Sequence, residues 1–567
     1  MAFNKKVSNL LSKSTDNNAN AFIKEGMKAS HETTSGNGAL KYSTSGNDFV
    51  DDFASIAKYK EPRSYEEVAK TMQLLYSIDK VKAVKMAIFI RLITRKSQVM
   101  KDKSVETLEE VQRGQGLKNE GIMRMLWLAL NHSNVFKVNL PLFIAAGSWK
   151  DVITMMNLDL QFHGWKGKKL HWTFFGKVIK AGLLNPGTSQ LVRKYLPTIR
   201  TDAKCRTLES QADTLIGRWL AKQFFPEDEK FVAYKKYRQL KSKGTAHKWQ
   251  QLISKQMYNE LNFDSIAGRA LALLVGSKFL QNHSLVDKYS EWIKAKPVAK
   301  FTGFVFELFK PLGNGYSLRH IEDYREATIN AQFAQLVKTG KEGVDTNSGL
   351  LVVRDTSCSM TSQAVGCSMS SYDVAKSMAL YFSEFLTGPF ANSFAEFANT
   401  CTLQQWKGST PVDKYLNDRC EAYGGTNFQS VIDLFIQLRG RGVPEKDFPT
   451  GILCVSDGEF NRCGTNTSTN FQTAIRKLRN AGFSKEYVDS FKIILWDIPN
   501  SYYGKSETKF EDFADAPNFF YLSGYDPSSV AFIMEGKECK VTPRNAAELM
   551  ETALDQELLN RVFIPRK

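Results

Sequence analysis

The chain changes its hydrophobic rhythm once, near residue 345, and that change restricts it to an architecture with two kinds of layer. From about 50 to 340, apolar residues recur every three or four positions with few β-branched alternations, as amphipathic helices require. Lys82 to Ile93 sets Val84, Met86, Ala87, Phe89, Ile90 and Leu92 on one broad face, and Ile122 to Leu130 does the same with Met123, Met125, Leu126, Leu128 and Leu130. Many short helices in succession predict stacked helical hairpins, closing into a ring or an arc. After 345, apolar runs at 350–354, 393–399, 451–456, 491–497 and 518–522 alternate with amphipathic stretches at 371–386, 428–438 and 470–480. Strands buried on both faces and separated by helices predict a doubly wound, mostly parallel sheet. The expected fold class is α plus α/β.

Four segments follow from this reading. Residues 8 to 48 are dominated by Ser, Thr, Asn and Gly, so 1–48 is expected to be a flexible polar arm. The basic helical domain is expected over 49–344, the α/β domain over 345–535 and a C-terminal helical extension over 536–567. No apolar stretch reaches the roughly 18 residues of a membrane span, and the N-terminus lacks the apolar core of a secretory signal. The eight cysteines, at 205, 358, 367, 401, 420, 454, 463 and 539, include no Cys-x-x-Cys pair, which reads as buried free thiols rather than a zinc site. A cytoplasmic protein without membrane contact is expected.

Charge divides along the same line. Residues 1–340 hold 53 Lys+Arg against 31 Asp+Glu, whereas residues 341–567 hold 23 against 28. A positive field of that size attracts polyanions, and in the cytosol the commonest polyanion is nucleic acid. Two runs concentrate it: His163-Gly-Trp-Lys-Gly-Lys-Lys-Leu-His-Trp172 interleaves cations with indoles, and Tyr234-Lys-Lys-Tyr-Arg-Gln-Leu-Lys-Ser-Lys243 interleaves them with phenols. Cations neutralise phosphates while exposed aromatic rings stack on unpaired bases. Lys166, Lys168, Lys169, Lys235, Lys236, Arg238, Lys241, Lys243 and Lys248 are therefore the candidate RNA contacts. The bland alternative for Trp165, Trp172, Tyr234 and Tyr237 is a place in the helical core.

In the α/β half, Asp355-Thr-Ser357-Cys-Ser359 directly follows the apolar run 350–353. Hydroxyls and a carboxylate on a loop after a buried strand suit Mg²⁺ or Mn²⁺, which prefer hard oxygen ligands. Tyr423-Gly-Gly-Thr426-Asn adds a hydroxyl on a glycine-rich turn, and Val455-Ser-Asp457-Gly-Glu adds a carboxylate at another strand end. Asp355, Ser357, Ser359, Thr426 and Asp457 can thus converge on one divalent cation. No enzyme signature accompanies them. Gly504-Lys505-Ser506 looks like the end of a phosphate-binding loop, but Pro499 stands where its first glycine belongs, and the histidines have no ligand spacing. A metal-dependent nuclease or phosphatase would need clustered carboxylates that are missing.

Together, the three oxygen-bearing loops resemble the metal-ion-dependent adhesion site of von Willebrand factor A domains. That resemblance implies Ser357, Ser359 and Thr426 at the ion, Asp355 and Asp457 acting through water, and an open position for an acidic group from a partner. Cys358 departs from the family, which usually has glycine there. A basic helical region followed by such a domain is similar to the Ro ribonucleoprotein (TROVE) superfamily, with HEAT-like repeats. Arg113-Gly-Gln-Gly-Leu-Lys-Asn-Glu120, Leu142-Phe-Ile-Ala-Ala-Gly-Ser-Trp-Lys-Asp151 and the stretch from Tyr237 through Gln250 are its looser local echoes. It implies a noncatalytic protein holding structured or single-stranded noncoding RNA. The alternative is an adaptor or co-chaperone whose metal site docks on a MoxR-type AAA+ ATPase without RNA. An extracellular adhesion protein is a further user of such domains, disfavoured by the missing secretion signal.

Overall fold

The computed structural model describes residues 26–55, 63–101, 104–243, 248–313, 317–365, 367–418, 422–463, 468–498, 500, 509–534 and 542–566. The chain forms two compact units, Met1–Pro62 with Ser290–Asp555, and Arg63–Tyr289 with Gln556–Lys567. Helices and a mixed sheet coexist as the α plus α/β expectation requires. No helix among the described residues is long and apolar enough to cross a membrane.

Two antiparallel hairpins precede the main sheet in the chain: β1 (Glu32–Thr34) with β2 (Leu40–Tyr42), and β3 (Gln98–Lys101) with β4 (Ser104–Thr107). The sheet itself is built from β5 (Leu350–Asp355), β6 (Ser393–Phe397), β7 (Cys401–Gln405), β8 (Gly451–Ser456), β9 (Lys492–Asp497) and β10 (Phe519–Ser523). Its order is β10-β9-β8-β5-β6-β7, parallel except for the antiparallel edge strand β7. β5 and β8 are buried at every residue, which is why they read as unbroken apolar runs. The helix Ser371–Phe385, capped by Ser370, lies against this pair and is itself almost wholly buried. From β5 the chain runs outward to β6 and β7, then returns to build β8, β9 and β10 on the other side. The direction of winding reverses between β5 and β8, and the crevice beyond their C-terminal ends is where such sheets bind ligands.

The helical unit packs its helices largely in chain order. Tyr65–Ile78 meets Lys80–Arg91, which meets Lys118–Asn131, which meets Ser133–Ala146; farther on, Trp149–Gly167 meets Leu208–Phe224, which meets Lys230–Ser242. Gly121 permits one of these approaches, because a Cβ there would lie 2.6 Å from the Cβ of Arg91.

The structure moves several expected boundaries. The arm expected to be flexible through residue 48 is folded onto the sheet unit from Glu32: Tyr42 and Phe510 exchange backbone hydrogen bonds, and Ser35 Oγ donates to the Phe460 carbonyl. Its polar residues serve loop and hairpin hydrogen bonds, so its composition imitates that of a disordered segment; residues 1–25 lie outside the described residues. Residues 49–55 and 290–344, expected in the helical domain, also belong to the sheet unit. Their apolar faces are buried there, with Phe309 stacked on Tyr415 at 4.5 Å. The expected extension 536–567 is divided: Ala546–Leu554 packs near β10, while Gln556 exchanges two hydrogen bonds with the backbone of Arg113 in the helical unit.

Candidate metal centre and basic surface

Asp355 closes β5 and Ser456 closes β8, so adjacent parallel strands deliver both to the same sheet end. Asp355 Oδ1 accepts from the Ser357 amide at 2.8 Å, which folds the loop back toward the strand. Its other oxygen accepts from Ser456 Oγ, and that hydroxyl in turn accepts from the Gly458 amide at 3.0 Å. Ser357 Oγ and Ser359 Oγ stand 3.2 Å apart. Asp457 accepts from the Glu459 amide at 3.1 Å and from Asn500 Nδ2, which also reaches the Ser359 carbonyl. A hydrogen bond from Ser359 acts on Asp457 as well, so the first and third loops touch through their side chains.

The Thr426 loop is fastened to both. Cys358 donates its amide to the Gly424 carbonyl, and Thr426 and Asn461 exchange hydrogen bonds, at 3.1 Å from the Thr426 amide to Asn461 Oδ1 and 2.8 Å in return. Gly424 adopts φ +74°, and a Cβ there would lie 2.7 Å from Asn399 Nδ2, so the turn needs glycine. All five expected ligand residues are buried, on three loops that these hydrogen bonds tie together. Cys358, by contrast, is exposed on its short 3₁₀ turn, so the departure from glycine leaves the buried serines on either side in place.

The hydrogen bonds received by the two carboxylates come from neutral groups. Burial therefore pushes Asp355 up to about 6, and burial together with the charge of Asp355 pushes Asp457 up to about 7. Two buried acids and three hydroxyls, with no cation paired to either acid among the described residues, make a donor set of hard oxygens. Among the described residues no group of three or more His, Cys, Asp or Glu side chains is placed to hold a metal.

Sequence reasoning missed the N-terminal contribution to this site. Gly36 N donates to the Glu459 carboxylate, Asn37 Nδ2 to the Glu459 carbonyl at 2.6 Å, and Lys41 Nζ to the Gly458 carbonyl. Lys41 is buried and pairs with the buried Glu511 at 3.3 Å. The β1–β2 hairpin thus holds the loop that carries Asp457. A single lysine in a polar segment gives no signal of such a role.

The basic candidates divide by environment. Lys166, Lys169, Lys235, Arg238 and Lys243 are exposed. Lys236 pairs with Asp228 at 2.7 Å, and Lys241 donates to the Leu196 carbonyl, where burial lowers its pKa. Lys168 lies over the rings of Trp165, Trp172 and Trp219 at 4.4, 4.5 and 5.8 Å, a cation–π cluster rather than an open base-stacking platform. Lys248 opens the helix Lys248–Ser254. Trp172, Tyr234 and Tyr237 are core residues, with Trp172 Nε1 bonded to Asp159 and the Tyr237 hydroxyl to the Pro197 carbonyl. Among the Trp and Tyr residues of those two runs, Trp165, at 40% exposure, alone offers solvent a substantial ring surface. Of the histidines, His132 stacks on Tyr76 and His283 on Tyr258, as packing residues do. Each of the six cysteines in the described residues is a free thiol, and Cys454 is buried in β8; Cys420, Cys539 and Gly504-Lys505-Ser506 lie outside them.

No curated protein matches the chain. The crystal structure of the Deinococcus radiodurans RO (RSR) protein overlays on it with a TM-score of 0.37 and 12% identity, over 90% of this chain and 99% of that one, a level at which no residue role transfers. Residues 350–561, which hold the crevice and its three loops, match the model of a family described as a domain of unknown function, DUF7788.

Proposed function

We propose that this chain is a noncatalytic RNA-binding protein of Ro type, with RNA on the helical unit and a divalent cation in the crevice of the sheet unit, which is read as a von Willebrand A domain. The distribution of charge carries the first part. Arg63–Tyr289 with Gln556–Lys567 holds 41 Lys+Arg against 20 Asp+Glu, leaving 35 against 39 for the other unit. The excess therefore follows the packing boundary as well as the sequence. RNA is held through phosphates by Lys166, Lys169, Lys235, Arg238 and Lys243, with TROVE-like helical repeats as scaffold. Lys236, Lys241 and Lys168, each with a partner in the chain, contribute field rather than primary contacts, and Lys248 stays a candidate contact.

The crevice takes Mg²⁺ or Mn²⁺ on Ser357, Ser359 and Thr426, with Asp355 and Asp457 acting through water. The donor set supports this: two buried carboxylates met by neutral donors need a positive charge that a hard cation supplies. Tyr423, 56% exposed, and the exposed Cys358 border the loops, which favours docking of a protein partner whose acidic side chain completes the ion's shell. An AAA+ ATPase is one such partner.

The test is binding of single-stranded RNA over a range of salt. Reversing the five exposed cations to Glu is expected to flatten the slope of log K against log salt by roughly 3.5, at about 0.7 per single-strand phosphate contact. An unchanged slope removes the patch from the interface. A purified protein free of RNA and without affinity for it at moderate salt replaces this reading with the ATPase adaptor.

A further inference from the structure

Two of the sequence runs singled out above, Arg113–Glu120 and Leu142–Asp151, come together in the helical unit around one buried carboxylate. Asp151 Oδ2 accepts from the Ser148 amide and from Arg91 Nε, both at 2.9 Å. Gly147 is forced by this contact, since a Cβ there would fall 2.3 Å from Asp151 Oδ2 and 2.7 Å from Arg91 Nε. Arg95 donates Nη2 to the carbonyls of Ala145 and Gly147, at 3.3 and 2.8 Å, while its buried Nε has no hydrogen-bond partner. Lys118, the first residue of its helix, stands within electrostatic reach of Lys150, Arg91 and Asp151, and Tyr195 within reach of Arg95 and Asp151.

Arg91, Arg95 and Lys118 thus act on a single buried acid that is already bonded to Arg91 and Ser148, Lys150 adds a fourth cation beside Lys118, and Glu209 is the other acid acting on Lys118. Burial and repulsion from Arg91 lower the pKa of Arg95; burial, then Lys150, lower that of Lys118. Such a cluster lacks an anion. Exposure is graded, from buried Arg91 through half-buried Arg95 and Lys118 to exposed Lys150, so the cluster opens to solvent at Lys150.

We propose that this cluster is a phosphate site, in which Arg95 Nε, Lys118 and Lys150 bind a phosphate monoester and the Arg91–Asp151 pair fixes Arg95 and the loop around Gly147. A monoester carries close to two negative charges at neutral pH, which matches the unbalanced charge better than a backbone diester does. It comes either from the 5′ end of an RNA, in which case the site deepens the RNA-binding reading, or from a free nucleotide, in which case it stands without it.

Calorimetry of the full chain separates these sources, using inorganic phosphate, adenosine monophosphate and one oligoribonucleotide with either a 5′-phosphate or a 5′-hydroxyl. Inorganic phosphate is expected to bind, and Arg95→Gln, Lys118→Gln and the exposed Lys150→Gln each to weaken it about tenfold. Lys150→Gln keeps the test valid if the half-buried variants fail to fold. A 5′-phosphate preference that vanishes in Lys150→Gln assigns the site to RNA ends; monophosphate binding with equal affinity for the two oligonucleotides assigns it to a nucleotide. Phosphate binding that survives when neither oligonucleotide binds sinks the RNA reading and leaves the site. The proposal is overturned if none of the phosphates binds, or if all bind the variants as they bind the parent.

Discussion

Replacing Asp355 with asparagine separates what the crevice does for stability from what it does for metal. Both carboxyls have folded pKa values raised from the model-compound value of 3.8, to about 6 for Asp355 and about 7 for Asp457. The folded chain therefore binds these protons more tightly than the unfolded chain. Their stabilising contribution is complete below about pH 4 and is lost as pH rises through about 6 and 7. At about pH 8 the metal-free crevice holds two buried anions, and the shift of Asp355 corresponds to about 3 kcal/mol of destabilisation. Asparagine keeps the geometry, because Oδ1 still accepts from the Ser357 amide and the new amide can donate to Ser456 Oγ. Asp355→Asn is therefore expected to be more stable than the parent in EDTA at about pH 8, by about 3 kcal/mol, with a smaller gap near pH 5. Magnesium at a hundredfold excess over its Kd adds about 2.7 kcal/mol to the parent and nothing to the variant, which cancels most of the gap at about pH 8 and reverses the order near pH 5. Hydrogen exchange of the β5 and β8 amides, with and without Mg²⁺ at both pH values, reads the sheet unit alone. A variant less stable than the parent in EDTA at about pH 8, or one that gains as much from Mg²⁺, would refute the argument.

Lys41→Met leaves Glu511 buried without its cation and is expected to cost about 3 to 5 kcal/mol, with loss of exchange protection in β1, β2 and residues 458–461. Because burial already raises the Glu511 pKa and Lys41 lowers it, that loss should be larger at alkaline than at acidic pH. Gly424→Ala forces a Cβ onto Asn399 at φ +74° and is expected to cost at least 1 kcal/mol or so and to weaken Mg²⁺ binding in a calorimetric titration. Tyr237→Phe removes the hydrogen bond to Pro197 and is expected to lower stability by about 1 kcal/mol without changing RNA affinity; a change in affinity would return Tyr237 to the interface.

The parts of the fold legible in the sequence are those where one residue type had one job. β5 and β8 are buried on both faces, so Leu350–Val353 and Ile452–Val455 had to be apolar throughout and could be read as strands. β7 escaped because it is an exposed edge strand, Cys-Thr-Leu-Gln-Gln, that carries no apolar run. The β3–β4 hairpin, lying between two helical patterns, gave as little signal. The boundary at 345 marked a real change of period, but period reports which secondary structure forms and not what it packs against. The helix Asp323–Lys341 is helical in pattern like its predecessors, yet Tyr324, Ile329 and Phe333 are buried within the sheet unit.

The same distinction explains why the crevice was more legible than the basic surface. A divalent cation needs particular oxygens at strand ends, so three short loops in the right order limit the choices, and all five residues are buried on loops that hydrogen bonds tie together. A basic surface needs only charge, and sequence cannot say whether a lysine faces water, a carboxylate or an indole. Lys168, Lys236 and Lys241 each found a partner within the chain, and the aromatic rings expected to stack on bases went mostly into the core. What survives folding is the net imbalance. The two acids between residues 151 and 200, Asp151 and Asp159, are both fully buried, and both bond to groups of their own unit. The exposed cations of that stretch, Lys166, Lys169, Lys177 and Lys180 among them, therefore share it with no exposed acid, and that is why the imbalance persists at the surface after folding.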